Sequence, residues 1–426
     1  MVKLLILGIN FTPEIISTAV YTTGLAEAMV RRNADVEVVT AQPYFPGWKV
    51  FSGHPRFGWT RRKLASGVKV VHCPHYVPAK PTGARRILHH ASFALSALPV
   101  LIWKGLRFRP DLVLIIAPAL LAAPFGWITA RACGAKAWLH IQDFEVEAAM
   151  ATGLLRERGL AGRLAKRFDR WIHHRFDRVS TISDPMLAKL KAKGIPEDRI
   201  FDLRNWADLS AIRPMPEGSS PYHASFGIPT RHVALYSGNI ANKQGLEILP
   251  QVAQRLAHRD DLTFVVCGEG SFLKGLRRLA EGTPNIVFHP LQPVERLGDL
   301  MGLATLHLLP QIAGVADLVL PSKLTNMLAS GRPVVATAEA STSLAKAVKG
   351  CGEATAPGDA AAMAEAIERL LDDADLRASQ GQAARQRALD QLDSGRILQA
   401  FHAEALQLTG AFPAEVKTSH RRIIQH

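Results

Sequence analysis

Residues 233–247 read VALYSGNIANKQGLE, and they repeat a pattern with which the chain begins. In both places a short apolar run, suited to a strand buried in a parallel sheet, leads into a glycine, an asparagine and then a helical segment. Near the N-terminus the run is LLIL at residues 4–7, followed by Gly8 and Asn10. Strands and helices continue to alternate after each run, which is typical of doubly wound α/β domains. The sequence therefore predicts two such domains of similar construction.

A proline-rich segment separates the two patterns. Residues 214–229 contain four prolines, two glycines and three serines, and they show no helical or strand period. The helical stretch at residues 360–408 is expected to pack outside the second sheet. We predict an N-terminal domain, a linker, a second domain and a C-terminal helix with a tail, at residues 1–210, 211–232, 233–385 and 386–426.

Ligands of parallel α/β sheets bind at the carboxyl ends of the strands. With two domains of this kind, we expect those ends to face each other across a cleft. The functional site is expected in that cleft.

The net charge of +14 comes entirely from the first half of the chain. Residues 1–210 hold 30 Lys and Arg against 16 Asp and Glu, whereas residues 211–426 hold 21 of each. Twelve cations and no acid lie between Glu37 and Asp111. This concentration indicates an anionic partner, namely a nucleic acid, an acidic small substrate or the anionic face of a membrane. A solvated basic face without a partner is the alternative.

Two apolar runs bear on contact with a membrane. Residues 112–130 carry no formal charge and are long enough to span a bilayer, but two prolines interrupt them. We expect a buried strand at 112–116 and a helix at 125–132 there. Residues 91–103 are too short to span and have basic flanks, which is typical of a helix at a membrane interface. A core helix with basic ends is the alternative.

The four cysteines are scattered, which indicates a reducing compartment. The protein is therefore expected in the cytoplasm. The basic stretch and the apolar run at residues 91–103 add the expectation that it attaches peripherally to the cytoplasmic face of the cell membrane.

Two common nucleotide-binding motifs are absent from the sequence. The first strand leads into GINFTP at residues 8–13 instead of a G-x-G-x-x-G turn, and the chain has no G-x-x-x-x-G-K-[ST] loop. The sequence therefore does not favour a dinucleotide dehydrogenase or a P-loop protein.

A loop of the second domain has the composition of an anion site. Gly238, Asn239 and Lys243 lie between a strand end and a helix start, where backbone N–H groups and a cation attract anions. The turn Gly268-Glu269-Gly270 follows a second strand and would let a ligand approach the backbone. An ordinary tight turn is the alternative there.

A second cation, Lys323, stands beside Ser322, which is expected to cap the N-terminus of a helix. Two lysines and two helix N-termini suit a diphosphate. For either lysine alone, a surface charge is the alternative.

His140 closes an apolar strand of the first domain, at the end of the sheet where a ligand is expected. Asp143 follows it closely in the chain. His140 and Asp143 are therefore candidate catalytic residues, although a lone histidine is more often structural.

The sequence resembles glycosyltransferase family 4, whose members are retaining enzymes of the GT-B fold, over about residues 1–400. The motifs that carry the resemblance are spread along the chain. They are Gly8-Ile9-Asn10 with Pro13-Glu14, residues 43–46, Leu139 to Asp143, Ser180 to Ser183, Asn205-Trp206, Tyr236 to Ile240 with Gln244 to Glu247, and Leu320 to Asn326.

The resemblance implies that the second domain binds a sugar nucleotide. Where family members hold the diphosphate with an Arg and a Lys, this chain has Asn239 and Gln244, so Lys243 and Lys323 are expected to share the task. Of two glutamates that contact the ribose and the sugar, Asn326 replaces one, and Asp317 stands beside the position of the other.

The resemblance also implies that the first domain binds the acceptor. Asn10 and Glu14 match the family motif there, while Ser17 and Thr18 occupy a turn that is usually Gly-Gly.

These expectations together describe a retaining, metal-independent hexosyltransferase of exopolysaccharide biosynthesis that uses no cofactor. It would move a sugar from a nucleoside diphosphate, with GDP-fucose as a candidate donor, to a lipid-linked oligosaccharide. A sugar-nucleotide epimerase of the same fold is the alternative. A basic nucleic-acid-binding protein is a weaker one, because no nucleic-acid motif is recognised, and nucleic acid is not expected as a partner.

Overall fold

The computed structural model describes residues 1–151, 155, 159–241, 244–313 and 321–411. The chain forms two compact units. The first comprises Met1–Arg204 and the chain from Gly395 onward, and the second comprises Asn205–Ser394. Each unit contains a separate, mainly parallel sheet with helices packed on it, so the prediction of two similar α/β domains is confirmed.

The first unit has an eight-stranded sheet. Its strands are β1 (Lys3–Gly8), β2 (Asp35–Ala41), β3 (Thr60–Lys63), β4 (Lys69–Cys73), β5 (Leu112–Ala117), β6 (Lys136–Ile141), β7 (Arg178–Thr181) and β8 (Ile200–Asp202). Their order is β3-β4-β2-β1-β5-β6-β7-β8, and the β3–β4 pair is antiparallel. The order reverses between β1 and β5, which is where open α/β sheets bind ligands. The helices are α1 (Ser17–Arg31), α2 (Gly83–Arg107), α3 (Ala123–Cys133), α4 (Glu145–Ala151), α5 (Leu160–His173) and α6 (Asp184–Ala192).

The second unit has a six-stranded parallel sheet. Its strands are β9 (His232–Ser237), β10 (Leu262–Cys267), β11 (Ile286–His289), β12 (Leu306–Leu309), β13 (Val334–Thr337) and β14 (Gly352–Thr355). Their order is β11-β10-β9-β12-β13-β14. The helices are α7 (Pro221–Ser225), α8 (Ile248–Arg255), α9 (Leu273–Leu279), α10 (Leu297–Leu303), α11 (Lys323–Ala329), α12 (Ser343–Val348), α13 (Ala360–Asp372) and α14 (Ala374–Gln391).

Central strands are apolar on both faces because helices cover both sides of the sheet. Leu5, Ile6 and Leu7 of β1 are fully buried, as are Leu112 to Ile115 of β5. The uncharged run at residues 112–130 therefore divides into β5 and α3, as predicted.

The predicted linker at residues 211–232 is wrong. This segment belongs to the second unit, and Ile212, Tyr222 and Ile228 are buried in its core. Ser220 accepts a hydrogen bond from the Tyr222 N–H and so caps α7, while Pro221 occupies its first turn. The prolines and serines that indicated a linker are the start of a short helix, which a sequence period cannot reveal over five residues.

The expected packing of residues 360–408 outside the second sheet holds for α13 and α14, which belong to the second unit, but is wrong for the last helix. Residues 394–409 form α15, which from Gly395 belongs to the first unit. Phe401 of α15 is fully buried against Trp138 of β6, with ring centroids 4.8 Å apart. Glu404 forms an ion pair with Arg178 of β7. The helical period predicted the apolar stripe, but a stripe does not specify which sheet it covers.

The apolar run at residues 91–103 and its basic N-terminal flank form the single helix α2 of 25 residues. Among the described residues, α2 is the one helix long and apolar enough to cross a membrane, and 33% of its most apolar stretch of 18 residues is buried. Core helices of other proteins can be equally long and apolar.

Helix α3 lies unusually close to β5 because Gly126 faces the strand. A Cβ built at Gly126 would lie 2.7 Å from Cγ1 of Ile115 and 3.2 Å from a methyl group of Leu7. Both neighbours are fully buried and have no room to move.

We expect Gly126→Ala to lower the free energy of unfolding by about 1–2 kcal/mol, because overpacking outweighs the better helix propensity of alanine. Gly47→Ala is the control, since nothing lies within 4 Å of a Cβ at that position. Urea unfolding measures both variants. Equal midpoints for Gly126→Ala and wild type would show that α3 can shift away from the sheet.

Candidate active site

Two glycine loops meet at the carboxyl edge of the second sheet. The loop after β9 begins at Gly238, and the loop after β10 contains Gly268 and Gly270. A Cβ at Gly268 would lie 1.9 Å from the carbonyl oxygen of Gly238, and one at Gly270 would lie 2.1 Å from that of Ile240. The Ile240 N–H donates to the carbonyl of Glu269 at 2.7 Å. Only glycine allows this backbone approach, so the two loops form one surface.

Lys323, at the start of α11, lies against this surface. Its ammonium is 4.1 Å from the ring centroid of Tyr236 and 3.5 Å from the carbonyl oxygen of Asn239. It also contacts the Tyr236 hydroxyl, which lies 2.6 Å from the Asn239 oxygen and 2.7 Å from Oε1 of Gln244. A Cβ at Gly238 would lie 2.8 Å from Cε of Lys323. The structure thus brings Gly238, Asn239 and Lys323 together.

Burial lowers the pKa of Lys323 to about 7, since removal from water disfavours the charged form. Among the described residues, no carboxylate forms an ion pair with its ammonium. An anion placed here would supply the missing countercharge.

The other predicted donor residues lie partly outside the described residues and partly beside the glycine loops and in α11. Lys243 and Asp317 lie outside the described residues. Glu269 is exposed beside the glycine turn, and Asn326 is half-buried in α11. The Ser322 side chain does not cap α11, so that expectation is wrong. The residue has helical backbone angles, whereas a capping side chain requires extended ones.

His140 is buried near the carboxyl end of β6 and is bonded within the first unit. Its Nδ1 lies 2.9 Å from the Ser180 hydroxyl, which also accepts a hydrogen bond from the Trp138 indole at 2.8 Å. Its Nε2 lies 3.3 Å from the amide nitrogen of Gln142. Burial lowers the pKa of His140 to about 3. The imidazole is therefore neutral near pH 7 and can act as a hydrogen-bonding group but not as a cation.

Asp143 lies between β6 and α4, and Glu145 is the first residue of α4. Burial raises the pKa of Glu145 to about 7, and the nearby Asp143 adds to the rise. Oε1 of Glu145 accepts a hydrogen bond from the Leu120 N–H at 2.7 Å, and Oε2 lies 3.9 Å from Nδ1 of His90. The Glu145 carboxyl therefore titrates near neutral pH, a property that the sequence analysis did not predict.

The predicted acceptor residues Asn10 and Glu14 lie together at the carboxyl edge of the first sheet. Glu14 is 4% exposed, and its Oε1 accepts the N–H groups of Tyr44 and Phe45 at 2.9 and 2.8 Å. Its Oε2 accepts from Asn10 Nδ2 at 2.9 Å. Burial raises the pKa of Glu14 while these bonds oppose the rise. Glu14 therefore positions the loop after β2.

Ser17 and Thr18 form the first turn of α1. Ser17 is half-buried and Thr18 is 8% exposed. The Thr18 carbonyl accepts a hydrogen bond from the Thr22 hydroxyl at 2.6 Å.

Two family models match the chain in succession. Residues 18–206 match the Glycosyl transferase 4-like domain, and residues 231–373 match Glycosyl transferases group 1. Over 410 residues the chain is 35% identical to the colanic acid biosynthesis glycosyl transferase WcaI of Escherichia coli K12. The aligned region covers 94% of this chain and 98% of WcaI. This chain belongs to glycosyltransferase family 4.

One further relative and two solved structures are also similar to this chain. The chain is 25% identical over 263 residues to the glycosyltransferase WbjE of Pseudomonas aeruginosa, covering 60% of this chain and 64% of that one. Sucrose-phosphate synthase of Thermosynechococcus elongatus superposes with a TM-score of 0.74 at 14% identity over 97% of this chain and all of that one. WaaG, a glycosyltransferase involved in lipopolysaccharide biosynthesis, superposes with a TM-score of 0.65 at 16% identity, over 96% of this chain and all of WaaG. The GT-B fold is confirmed, and the epimerase alternative is not favoured.

The sequence analysis assigned no role to three residues that contact or adjoin the candidate site residues, namely Tyr236, Ser180 and Glu145. Tyr236 and Ser180 belong to motifs that carry the family resemblance, but each lies in a strand that otherwise reads as core. The signal that could have singled them out is a hydroxyl near the carboxyl end of a buried strand, because such a hydroxyl needs a partner. For Glu145 no sequence pattern gives the burial that shifts its pKa.

We expect His140→Ala to lower glycosyl transfer by the folded protein roughly 10²-fold or more, the scale of a positioned catalytic contact. His307→Ala is a matched control. His307 is also fully buried in a parallel strand and lies 2.9 Å from a serine hydroxyl, that of Ser330, but it stands near the amino end of β12. Both variants should lose similar stability in thermal unfolding. If turnover per folded molecule fell equally in both, His140 would be a core histidine.

Proposed function

We propose that this glycosyltransferase moves a sugar from a nucleoside diphosphate to a lipid-linked oligosaccharide during assembly of an exopolysaccharide similar to colanic acid. The observation that carries the proposal is the 35% identity to WcaI, which extends over nearly the full length of both chains. GDP-fucose is the candidate donor. The acceptor is placed at the cytoplasmic face of the membrane, with the enzyme attached there peripherally.

The second unit is the proposed donor site. A diphosphate is bound well by a cation that lacks a countercharge, and Lys323 provides one beside Gly238 and Gly270, where the absence of side chains lets a ligand approach the loops closely. Asn239, Lys243, Gly268, Glu269, Asp317, Ser322 and Asn326 are the other proposed donor contacts. The Anabaena protein HepE, solved with UDP-glucose, superposes with a TM-score of 0.65 and supports a nucleotide sugar as the donor.

The proposed reaction retains the anomeric configuration and needs no metal. The bond between the sugar C1 and the diphosphate oxygen breaks, and the acceptor oxygen bonds to C1 on the same face. The acceptor proton passes to the departing phosphate oxygen. Lys323 would stabilise the charge that develops on the leaving group.

His140 and Asp143 are the proposed catalytic residues of the first unit. A neutral imidazole suits a hydrogen bond to a sugar hydroxyl, because it brings no charge close to the positive character that develops at C1. Asn10, Ser17 and Thr18 are the proposed acceptor contacts, with Glu14 holding the adjoining loop.

The donor can be identified by thermal stabilisation of the purified protein with a panel of sugar nucleotides that differ in base and sugar. A ligand at 100 times its Kd stabilises a folded protein by about 2.7 kcal/mol, so binding gives a clear rise in Tm. We expect GDP-fucose to stabilise the protein and to support transfer to a lipid-linked acceptor. Stabilisation by a different sugar nucleotide would replace the donor, and stabilisation by none would contradict the proposed function.

The affinity for the nucleoside diphosphate should depend on pH through Lys323. A bound phosphate favours the ammonium and raises its pKa above the value of about 7 in the free protein. Affinity should therefore be highest below pH 7 and should fall as the pH rises from 7 to 9. Calorimetric titration with GDP and with UDP across this range measures the effect.

The control for the pH dependence is Lys323→Met, which keeps the volume and removes the charge. It should bind about tenfold or more weakly at pH 7 and lose the fall above pH 7. Lys274→Met, an exposed lysine of the same unit, should match wild type. A pH dependence that survives in Lys323→Met would assign it to another group.

The metal-free, retaining mechanism makes two further expectations. Turnover should be unchanged after dialysis against EDTA and on addition of Mg²⁺ or Mn²⁺. NMR of the product should show the same anomeric configuration as the donor. Loss of activity with EDTA that Mn²⁺ restores would contradict the first expectation, and an inverted product would contradict the second.

A further inference from the structure

Helices α2, α3 and α5 form one layer on the same face of the first sheet. The chain passes from β4 over to β5, then to β6 and β7, always moving in the same direction along the sheet. Because crossovers between parallel strands are right-handed, the connecting helices lie on the same side. Helix α2 packs beside α3, and Trp127 of α3 meets Trp171 of α5 edge to face with centroids 6.2 Å apart. The three helices therefore share an outer face, which we call the outer helical face.

The outer helical face exposes a large share of the apolar side chains on the protein surface. Of the twenty large apolar side chains that are exposed in the described part of the chain, ten lie on these three helices. They are Ile87, Leu88, Leu95, Ile102, Trp103, Leu106, Ile128, Leu160, Leu164 and Trp171. Leu106 and Leu160 are 71% and 68% exposed. A concentration of this kind on a folded protein marks an interaction surface.

The apolar residues follow the helical period. In α5, Leu160, Leu164 and Trp171 are spaced by four and seven residues and form one row. In α2, Leu95, Ile102 and Leu106 are spaced by seven and four residues. Both helices also have a buried row on the opposite side, so the apolar row on the outer side is a second one, and its side chains remain exposed.

The charges on the same helices are almost all positive. Eight exposed cations lie on them: Arg85, Arg86, Arg107, Arg131, Arg163, Lys166, Arg167 and Arg170. The single acid of the three helices, Asp169, is 4% exposed and pairs with Lys193 inside the unit. Lys104 is also buried and pairs with Glu37, so it does not contribute to the outer charge. The outer helical face is therefore apolar and basic.

An arginine niche lies at the C-terminal end of α5. Arg175 stacks over both Trp127 and Trp171, with its guanidinium carbon 5.5 and 5.3 Å from the two ring centroids. The niche has a volume of about 330 Å³ and is lined by Arg167, Arg170, Trp171, His174 and Arg175. Tryptophan and arginine together suit the boundary between lipid tails and phosphate headgroups.

We propose that the outer helical face docks flat on an anionic lipid bilayer, with α5 and its arginine niche contributing to binding alongside α2. This inference rests on the membrane location in the proposed function and extends the contact from one helix to three. Charge decides the occupant, since an anionic leaflet complements the exposed cations of these helices. A second copy of the same face would instead set cations against cations.

The test is co-sedimentation of the full chain with vesicles of phosphatidylcholine that contain 30% phosphatidylglycerol or none. The α5 charge variant is Arg163→Gln/Arg167→Gln/Arg170→Gln, and the α5 apolar variant is Leu160→Gln/Leu164→Gln. The matched controls lie on the second unit: Arg255→Gln/Lys274→Gln/Arg278→Gln for charge and Leu279→Gln/Val294→Gln for apolar exposure. All of these side chains are exposed, and thermal unfolding checks that each variant folds.

We expect wild type to bind only the anionic vesicles, and less so at high salt because the Debye length shortens. The α5 charge variant should reduce the partition coefficient about tenfold or more, since each surface cation contributes to the attraction. The α5 apolar variant should reduce it as well, whereas both controls should bind as wild type does. Arg85→Gln/Arg86→Gln/Arg107→Gln measures the part due to α2.

Quenching of tryptophan fluorescence by brominated lipid gives an independent reading. Wild type should be quenched on anionic vesicles, and Trp171→Phe should lose part of that quenching because Trp171 lies on the contact surface. Unspecific adsorption of a basic protein would not single out Trp171.

Three results would overturn the proposal. The first is that the α5 variants bind like wild type while the α2 variant does not. Membrane attachment would then depend on α2 alone, and the proposed function would be unaffected. The second is binding that ignores lipid charge. The third is a dimer in sedimentation velocity that the α5 apolar variant converts to a monomer, which would make a second copy the occupant. Transfer to a detergent-solubilised acceptor in every variant separates these failures from failure of the glycosyltransferase assignment.

Discussion

The close approach of two glycine loops at the edge of the second sheet determines where charge can be placed there. With no side chain at Gly238, Gly268 or Gly270, backbone meets backbone, and the loops are locked by the Ile240 to Glu269 hydrogen bond of 2.7 Å. The space left beside Gly238 is filled by the aliphatic stem of Lys323, which holds the ammonium over Tyr236. Burial without an ion pair among the described residues disfavours the charge of this ammonium, so an anionic ligand that binds here supplies the countercharge that restores it. Any residue larger than glycine at position 238 would displace the ammonium.

The position of a histidine along its strand decides whether a ligand can reach it, as two chemically similar histidines show. His140 and His307 are both buried, both lie 2.9 Å from a serine hydroxyl, and burial lowers the pKa of each to about 3. His307 is the second residue of its strand, whereas His140 is the last but one of β6. In a parallel sheet the helices cover the strands along their length and leave the carboxyl ends accessible to ligands. Burial and hydrogen bonding alone therefore do not identify a functional histidine in this fold.

The sequence predicted most of what depends on local pattern. The apolar runs predicted β1, β5 and β9 within two residues, and the family motifs located the glycine loops and Lys323. It failed where a structure depends on which distant surface a segment meets. The apolar stripe of α15 could cover either sheet, and contact with Trp138 decided it. The prolines near Tyr222 indicated a linker. The burial of Tyr222 in the second core depends on Leu300 and Met301, which lie 78 and 79 positions further along the chain and so leave no local signal. The pKa values of Glu145 and Lys323 are likewise results of burial, which composition does not encode.

The connectivity of the first sheet explains why an apolar, basic surface can exist without harming its core. Each helix of the outer layer needs one apolar row to pack on the sheet, and α2 uses Phe93, Ala97 and Leu101 for this purpose, all fully buried. A second apolar row on the opposite side gains nothing from folding and raises the risk of aggregation. Such a row is compatible with a soluble chain when cations surround it, because like charges keep copies apart until an anionic surface neutralises them. The same arginines that would bind a membrane therefore also keep the exposed leucines of α2 and α5 from pairing with each other.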